Sequence, residues 1–429
     1  MHRPDNELVD LVFGYMRERL QYDPVPLDHP GDGEQLRAHL AGLLNEHGNN
    51  PADVLKLYDH ELSRAVISAD SPRYLSFIPC APTKAALLFD MVVSCASLQG
   101  ISWLEAAGAI AAENQVLRLI ADRAGLPGTA GGTFVSGGSA GNLSALVVAR
   151  DTARRKLGVG PEARLRIAVA DQVHSSVKNT FNIIGVEAFK VPTVDRRFTG
   201  EALRAALAAD PNPETVIAVV GTAGTTNEGI IDDLQGLSEV TRERGLWFHV
   251  DGAYGGAGLF APSIRERYNG IEHADSFIVD PHKWLFAPFD SAALIYREPR
   301  LAKAVHTQDA GYLDVLHHEG DEWNPTDYAY HLTRRARGLP LWFSLAVHGT
   351  QAYTDAIEAG LTLARDTAQL IRETEHLELL HDPQLSAVCF RRTGWTEQQY
   401  YDWSHQLLAD QIGFVTPTGW DGETVARFA

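Results

Sequence analysis

"VIAVVGTAGTTNEGIIDDLQGLSEVTRERGLWFHVDGAYGG" (216–256) decides how the chain folds. It opens on an apolar β-branched run, 216–221, passes through a turn rich in Gly and Thr, and continues as an amphipathic helical segment, 232–245. It ends on a second apolar run, 246–250. Strand, helix and strand in succession form a crossover unit, which joins parallel strands in a sheet covered on both faces. Further β-rich runs stand at 132–136, 166–170, 186–191, 276–279 and 292–296, with helical segments such as "NLSALVVARDTARRK" (142–156) between some of them. The pattern predicts an α/β domain with a mostly parallel seven-stranded sheet. Ligands of such sheets bind beyond the carboxyl ends of the strands, so polar exceptions to the apolar pattern matter most there.

Several such exceptions occur. Asp251 directly follows "LWFHV", where a carboxylate requires a partner. Lys283 follows "SFIV" within "VDPHKWLF", beside Asp280, His282, Trp284 and Leu285. The plain account of this pair is a buried salt bridge; the other is a cofactor that engages both groups. "TFVSGGSAGN" (133–142) leads from a strand into a helix, and Gly138 and Ser139 there suit a phosphate, although a Gly-rich turn needs no ligand to explain it. His174 opens a helix in "DQVHSSV" (171–177), where a structural cap is the commoner role. Thr225 and Thr226 end the 216–221 strand, as turn residues often do.

Composition narrows the function classes. The chain has 429 residues, 45% hydrophobic and 21% charged, with 37 Lys plus Arg against 55 Asp plus Glu, a formal charge of −18. The one basic run, "ARDTARRK" (149–156), reads as an exposed helix face, so nucleic acid is not an expected partner. The N-terminus lacks a signal-peptide pattern, and Asp90, Gln99 and Glu105 interrupt the most apolar region, 86–112, so no membrane partner is expected. Cys80, Cys95 and Cys389 are scattered without metal-site or disulfide spacing, which suits a cytoplasmic location. "HHEGDE" (317–322) reads as a polar loop, and no metal is expected.

The outer segments differ in character. Residues 1–75 read as a helical arm: "ELVDLVFGYMRERL" places Leu8, Val12 and Tyr15 on one face, and 34–48 repeat the pattern after a Pro/Gly-rich linker. Residues 76–300 make the large α/β domain, and 301–429 a small α+β C-terminal domain. "ETVARFA" (423–429) looks like a strand, so the C-terminal domain is expected to be truncated.

"HVDGAYGG" (249–256) followed by "ADSFIVDPHKW" (274–284) resembles the group II pyridoxal-phosphate-dependent amino-acid decarboxylases, with the aromatic-L-amino-acid decarboxylases nearest. "SPRYLSFIPCAPTKAALLFDMV" (71–92), "SGGSAGNLSALVVAR" (136–150), "DQVHSSV", "VVGTAGTT" (219–226) and "RRARGLPLW" (334–342) extend the likeness in register over nearly the whole chain. The resemblance implies the fold type I architecture of the aspartate aminotransferase-like transferases, a homodimer with shared active sites, and pyridoxal 5'-phosphate as cofactor. It implies decarboxylation of an L-amino acid to the amine and carbon dioxide. An aldehyde synthase or another carbon–carbon lyase on the same scaffold is the alternative, and a non-catalytic binding protein is a third.

The resemblance also assigns residues. Lys283 would hold the cofactor as an imine, Asp251 would bind the pyridinium nitrogen, and Ala253 and His174 would lie on the two ring faces, His174 near the substrate carboxylate. Gly138, Ser139, Thr226 and His282 match positions near the phosphate. Asp280 stands where some relatives carry an Asn that touches phosphate, a departure that the likeness does not explain. Tyr328, in "EGDEWNPTDYAYHLTRRARG" (319–338), matches a loop tyrosine implicated in returning a proton, with Tyr330 as its alternative. Relatives lacking that tyrosine tend toward aldehyde-forming oxidative chemistry. Phe77, Ile78, Pro79 and Cys80 match a side-chain pocket, to which Gln99, Ile101 and Trp103 of the neighbouring subunit would contribute. Phe77 and Ile101 favour an aromatic or apolar substrate, Cys80 replaces a threonine common in the aromatic decarboxylases, and no pocket arginine or lysine is evident for an acidic one.

Overall fold

The computed structural model describes residues 5–78, 80–171, 173–308 and 322–429. The central sheet contains β1 (Gly131–Val135), β2 (Arg166–Ala170), β3 (Glu187–Val191), β4 (Val216–Thr222), β5 (Trp247–Asp251), β6 (Ser276–Val279) and β7 (Ala292–Tyr296). They lie in the order β1-β7-β6-β5-β4-β2-β3. β3, β2, β4, β5 and β6 run parallel, whereas β7 is antiparallel to both β6 and β1. The exception has a local cause. Between β6 and β7 the chain forms only a turn and bend, with no crossover helix to return it to the starting edge.

The helices are α1 (Asn6–Leu20), α2 (Gly33–Leu40), α3 (Pro51–Leu57), α4 (Lys84–Cys95), α5 (Trp103–Arg123), α6 (Gly138–Leu157), α7 (Ser175–Ile184), α8 (Gly200–Ala209), α9 (Leu234–Arg244), α10 (Pro299–His306), α11 (Leu339–Glu373) and α12 (Glu397–Ala409). The helical pattern read over 34–48 stops at Leu40. Beyond it Gly42 takes φ 71°, and the Asn45 side chain donates to the carbonyls of Gly42 and Leu43, a local alternative to helical bonding.

Strand alternation divides the core into two apolar layers. Ala168, Val219, Phe248, Val250 and Phe277 face one, while Ile167, Val169, Val220, Trp247 and Leu294 face the other. Burying each large side chain contributes about 1.5–3 kcal/mol. α6 crosses the second layer at very close range. A Cβ on Gly141 would stand 1.7 Å from Cδ1 of Ile278, so only glycine allows this helix to approach β6.

A second, antiparallel sheet has the order β10-β11-β9-β8, built from β8 (Leu377–Leu379), β9 (Val388–Arg392), β10 (Thr418–Trp420) and β11 (Glu423–Phe428). The β10–β11 hairpin turns on Asp421 (φ 50°) and Gly422 (φ 84°), the two-residue loop with two positive φ values that matches strand twist. This turn carries Trp420 and Asp421 to the rim of the central cavity.

Candidate active site

A cavity of roughly 870 Å³ opens along the carboxyl ends of β4, β5 and β6. Register explains the location: Thr222 pairs with Asp251, and Asp251 with Ile278, so three strands end at one level. Gly138, Ser139, His174, Thr226, Asp251, Ala253, His282 and Lys283 all line this cavity.

Asp251 is the best-supported group in it. The residue is 6% exposed; Oδ1 accepts from the Ala253 N–H (3.1 Å) and Oδ2 from Asn142 Nδ2 (2.9 Å). Behind Asn142 stands a chain of buried donors. Trp247 Nε1 donates to Ser276 Oγ at 2.9 Å, Ser276 Oγ lies 2.8 Å from His249 Nδ1, and His249 Nε2 lies 2.8 Å from Asn142 Oδ1. Burial pulls the His249 imidazole down to about 4, against the opposing charge of Asp251. A neutral ring must donate from one nitrogen and accept at the other. Asn142 Oδ1 can only accept, so Nε2 carries the proton and every donor in the chain points toward Asp251.

Sequence reasoning missed Asn142 and His249, although both had a signal. His249 precedes Asp251 by two strand positions and shares its face, and Asn142 lies one helical turn beyond Gly138.

The turn bearing Lys283 is stitched to the end of β5. The Gly252 N–H donates to the Ile278 carbonyl (2.9 Å), the Asp280 N–H to Ala253 (3.0 Å) and the Lys283 N–H to Asp280 (2.9 Å). Trp284 and Leu285 are buried and fix the turn, with Trp284 5.7 Å from the Tyr254 ring. The Lys283 side chain is 27% exposed, and Nζ lies 3.2 Å from Asp280 Oδ2. His282 Nδ1 accepts from the Ser291 N–H (3.0 Å), and Nε2 is 3.7 Å from the same Asp280 oxygen. Burial lowers the His282 pKa, with Asp280 opposing.

His174 is a helix cap that also lines the cavity. Nδ1 accepts from the Ser176 N–H at 3.1 Å and so caps α7, while the residue stays exposed on the cavity wall. Ser139 and Thr226 are also exposed there.

Other assigned residues lie elsewhere. Tyr328 is 4% exposed, stacked on Trp323 with ring centroids 4.2 Å apart, and is not among the cavity-lining residues. Tyr330 is 51% exposed and is likewise not among them. Phe77 is largely exposed and touches the rim indirectly: its carbonyl accepts from Arg427 Nη2 (2.6 Å), whose Nε donates to the carbonyl of the cavity residue Asn227 (3.0 Å). Cys80 and Ile101 are buried away from the cavity lining, and burial pushes the Cys80 thiol up to about 12. Pro79 and residues 317–321 of "HHEGDE" lie outside the described residues, among which no cluster of metal-ligating side chains occurs.

One expectation needs correction: the cavity does contain an arginine. Arg196 enters from the turn after β3 and pairs with Glu228 (2.9 Å) and Asp421 (2.7 Å). Its guanidinium also lies 3.7 Å from the Trp420 ring centroid. A single arginine on a left-handed turn (φ 63°) carries no sequence signal for this placement.

The donor set suits pyridoxal phosphate. Lys283 offers an amine for its aldehyde, and Asp251 offers a carboxylate braced from behind for the ring N–H. His174 offers an exposed ring, and the start of α6 offers backbone N–H groups for the phosphate. Asp280 is the exception.

Known proteins match this reading. The family model described as pyridoxal-dependent decarboxylase conserved domain covers residues 34–393. An aromatic-L-amino-acid decarboxylase of Bacillus atrophaeus is 29% identical over 391 residues, 90% of this chain and 80% of its own length. A phenylacetaldehyde synthase of Petunia hybrida is 28% identical over 462 aligned residues, 100% of this chain and 89% of the relative. The crystal structure of Oryza sativa TDC with PLP and tryptamine superposes with a TM-score of 0.91 at 24% identity, over 99% of this chain and 92% of the other, a likeness of fold. With the family model spanning most of its length, the chain belongs to the pyridoxal-dependent decarboxylases, carboxy-lyases that use pyridoxal phosphate to decarboxylate amino acids.

Proposed function

We propose that this protein decarboxylates an L-amino acid with an aromatic or apolar side chain, as a cytoplasmic homodimer. The observation that carries this reading is that Lys283 and Asp251 open into one cavity, with Asp251 braced by the Asn142–His249–Ser276 chain. Pyridoxal phosphate, when bound, supplies an electron sink for the pair left as the carbon–carboxylate bond breaks. Asp251 would keep the proton on the ring nitrogen, Lys283 would hold the cofactor in place, and Ala253 and His174 would take the two ring faces, with His174 toward the substrate carboxylate. Gly138, Ser139, Thr226 and His282 would hold the phosphate end.

Side-chain preference is supported by Phe289, 61% exposed on the cavity wall, and by Phe77 near the rim. The charge of Arg196 is already answered by Glu228 and Asp421, which disfavours an acidic substrate. The aromatic amino acid in one relative's name and the aromatic aldehyde in another's point the same way. A homodimer is supported by α1, α2 and α3, which bury no residue within one chain, and by the exposed Phe13, Leu88 and Val92. On the resemblance, Ile101 and Gln99 of one copy would contribute to its partner's site. We divide the chain into the arm 1–75, the cofactor domain 76–300 and the small domain 301–429. Among the described residues no helix is long and apolar enough to cross a membrane.

The burial of Tyr328 outside the cavity supports a second reading, oxidative chemistry that yields an aldehyde, the product class that the Petunia relative is named for. A carbon dioxide release screen over the twenty amino acids and hydroxylated aromatic ones separates the two. Equal yields of carbon dioxide and amine are expected with an aromatic substrate. Hydrogen peroxide at the same yield would establish the second reading, and no release from any substrate would defeat both.

A further inference from the structure

Asp280 is a carboxylate set on the cavity wall among the groups that suit a phosphate. It is 2% exposed. Oδ2 accepts from the Gly138 N–H at 3.2 Å and lies 3.2 Å from Lys283 Nζ. Oδ1 is buried without a hydrogen-bond partner among the described residues. A Cβ on Gly138 would stand 3.2 and 3.4 Å from the two carboxylate oxygens, so the group is pressed against the start of α6.

A carboxylate is stable at a helix start for the reason a phosphate is: both meet free N–H groups and the positive end of the helix dipole. Two of the contacts that Asp280 makes, to Gly138 and Lys283, are contacts the cofactor needs, one at its phosphate and one at its aldehyde; the third is to His282 at 3.7 Å. The neighbouring charges do not resolve this conflict. His282 is held toward its neutral form by burial, Asp251 and Asp290 on the same cavity are acidic, and Arg196 is paired with Glu228 and Asp421.

We propose that Asp280 is a built-in competitor for the cofactor phosphate, occupying the start of α6 and Lys283 until pyridoxal phosphate displaces it from both. The proposal rests on the reading of this cavity as the pyridoxal phosphate site. It makes the hold on the cofactor weaker than the remaining donors would allow, and it concerns the phosphate rather than the ring.

The test measures equilibrium binding of pyridoxal phosphate, and of pyridoxal, to the full chain stripped of cofactor, with and without Asp280→Asn. The substitution keeps size and removes charge. It is expected to tighten binding of pyridoxal phosphate by on the order of tenfold, and that of pyridoxal, which meets Asp280 only at Lys283, by clearly less. Unchanged or weaker binding of pyridoxal phosphate would overturn the proposal. So would an equal shift for both ligands, which would assign Asp280 to holding Lys283 alone. Asp280→Ser, smaller and also uncharged, decides the matter if the Asn variant does not fold. Failure of the unsubstituted chain to bind pyridoxal phosphate would instead overturn the cofactor reading, and this proposal with it.

Discussion

Asn142 joins His249 to Asp251: its Nδ2 donates to Asp251 Oδ2 at 2.9 Å, and its Oδ1 accepts from His249 Nε2 at 2.8 Å. Asn142→Ala removes a donor from the carboxylate and leaves a buried imidazole N–H without an acceptor. A hydrogen bond to a charged group contributes about 1.5–3 kcal/mol, so cofactor affinity should fall by on the order of tenfold. Spectral titration with pyridoxal phosphate measures this, with circular dichroism to check the fold. Undiminished affinity would remove Asn142 from the account.

The same chain predicts an acid response. His249 titrates near 6.5 when unfolded and at about 4 when folded, because burial opposes its charge. Between those values the unfolded chain takes up a proton that the folded chain refuses, so stability is lost as pH falls from 6.5 to 4. The contribution is roughly 3 kcal/mol. Urea unfolding of the protein and of His249→Gln at pH 7 and pH 4 isolates it, since other groups cancel. The advantage of the unsubstituted protein should shrink by that amount at pH 4. A constant difference would mean that His249 does not stay neutral.

Much of this could be read from residues in order. Apolar runs bounded by Gly and polar residues located the seven main strands, and Asp251 and Lys283 stood out because charges ended apolar runs. What escaped depended on packing between distant segments. Nothing near Asn142 announces that α6 sets it beside β5, and nothing in the 194–197 turn announces that Arg196 reaches the cavity. β7 was harder still, because an apolar strand reads alike in either direction.

Tyr328 offers a sharper test of sequence against packing. Its ring stacks on Trp323, whose Nε1 donates to the Gly132 carbonyl at 3.0 Å, tying the 322–328 segment to β1. Tyr328→Ala should cost about 3 kcal/mol, while Tyr328→Phe should keep turnover within about threefold. Thermal melts and steady-state rates together decide it. A Phe variant with an unchanged melt and a rate down by ~100-fold or more would give the hydroxyl a part in the chemistry.

"RRARGLPLW" has a structural member. Arg334, with a fully buried side chain, pairs with Glu113 at 2.7 Å and donates to the Gly100 carbonyl at 2.6 Å; Glu113 also accepts from the Gly338 N–H at 2.8 Å. Glu113→Ala strands a buried guanidinium and should cost roughly 3–5 kcal/mol in denaturant unfolding. A loss below about 1 kcal/mol would mean that solvent reaches Arg334 after all.

The claim on which the rest depends is that Lys283 is the lysine that carries pyridoxal phosphate. Borohydride reduction of the protein loaded with pyridoxal phosphate, followed by proteolysis and mass spectrometry, tests it directly. The account predicts the reduced pyridoxyl phosphate mass on the peptide containing Lys283, and its absence in Lys283→Ala, which should keep its fold and lose turnover. Label on a different lysine, or full activity in Lys283→Ala, would contradict it.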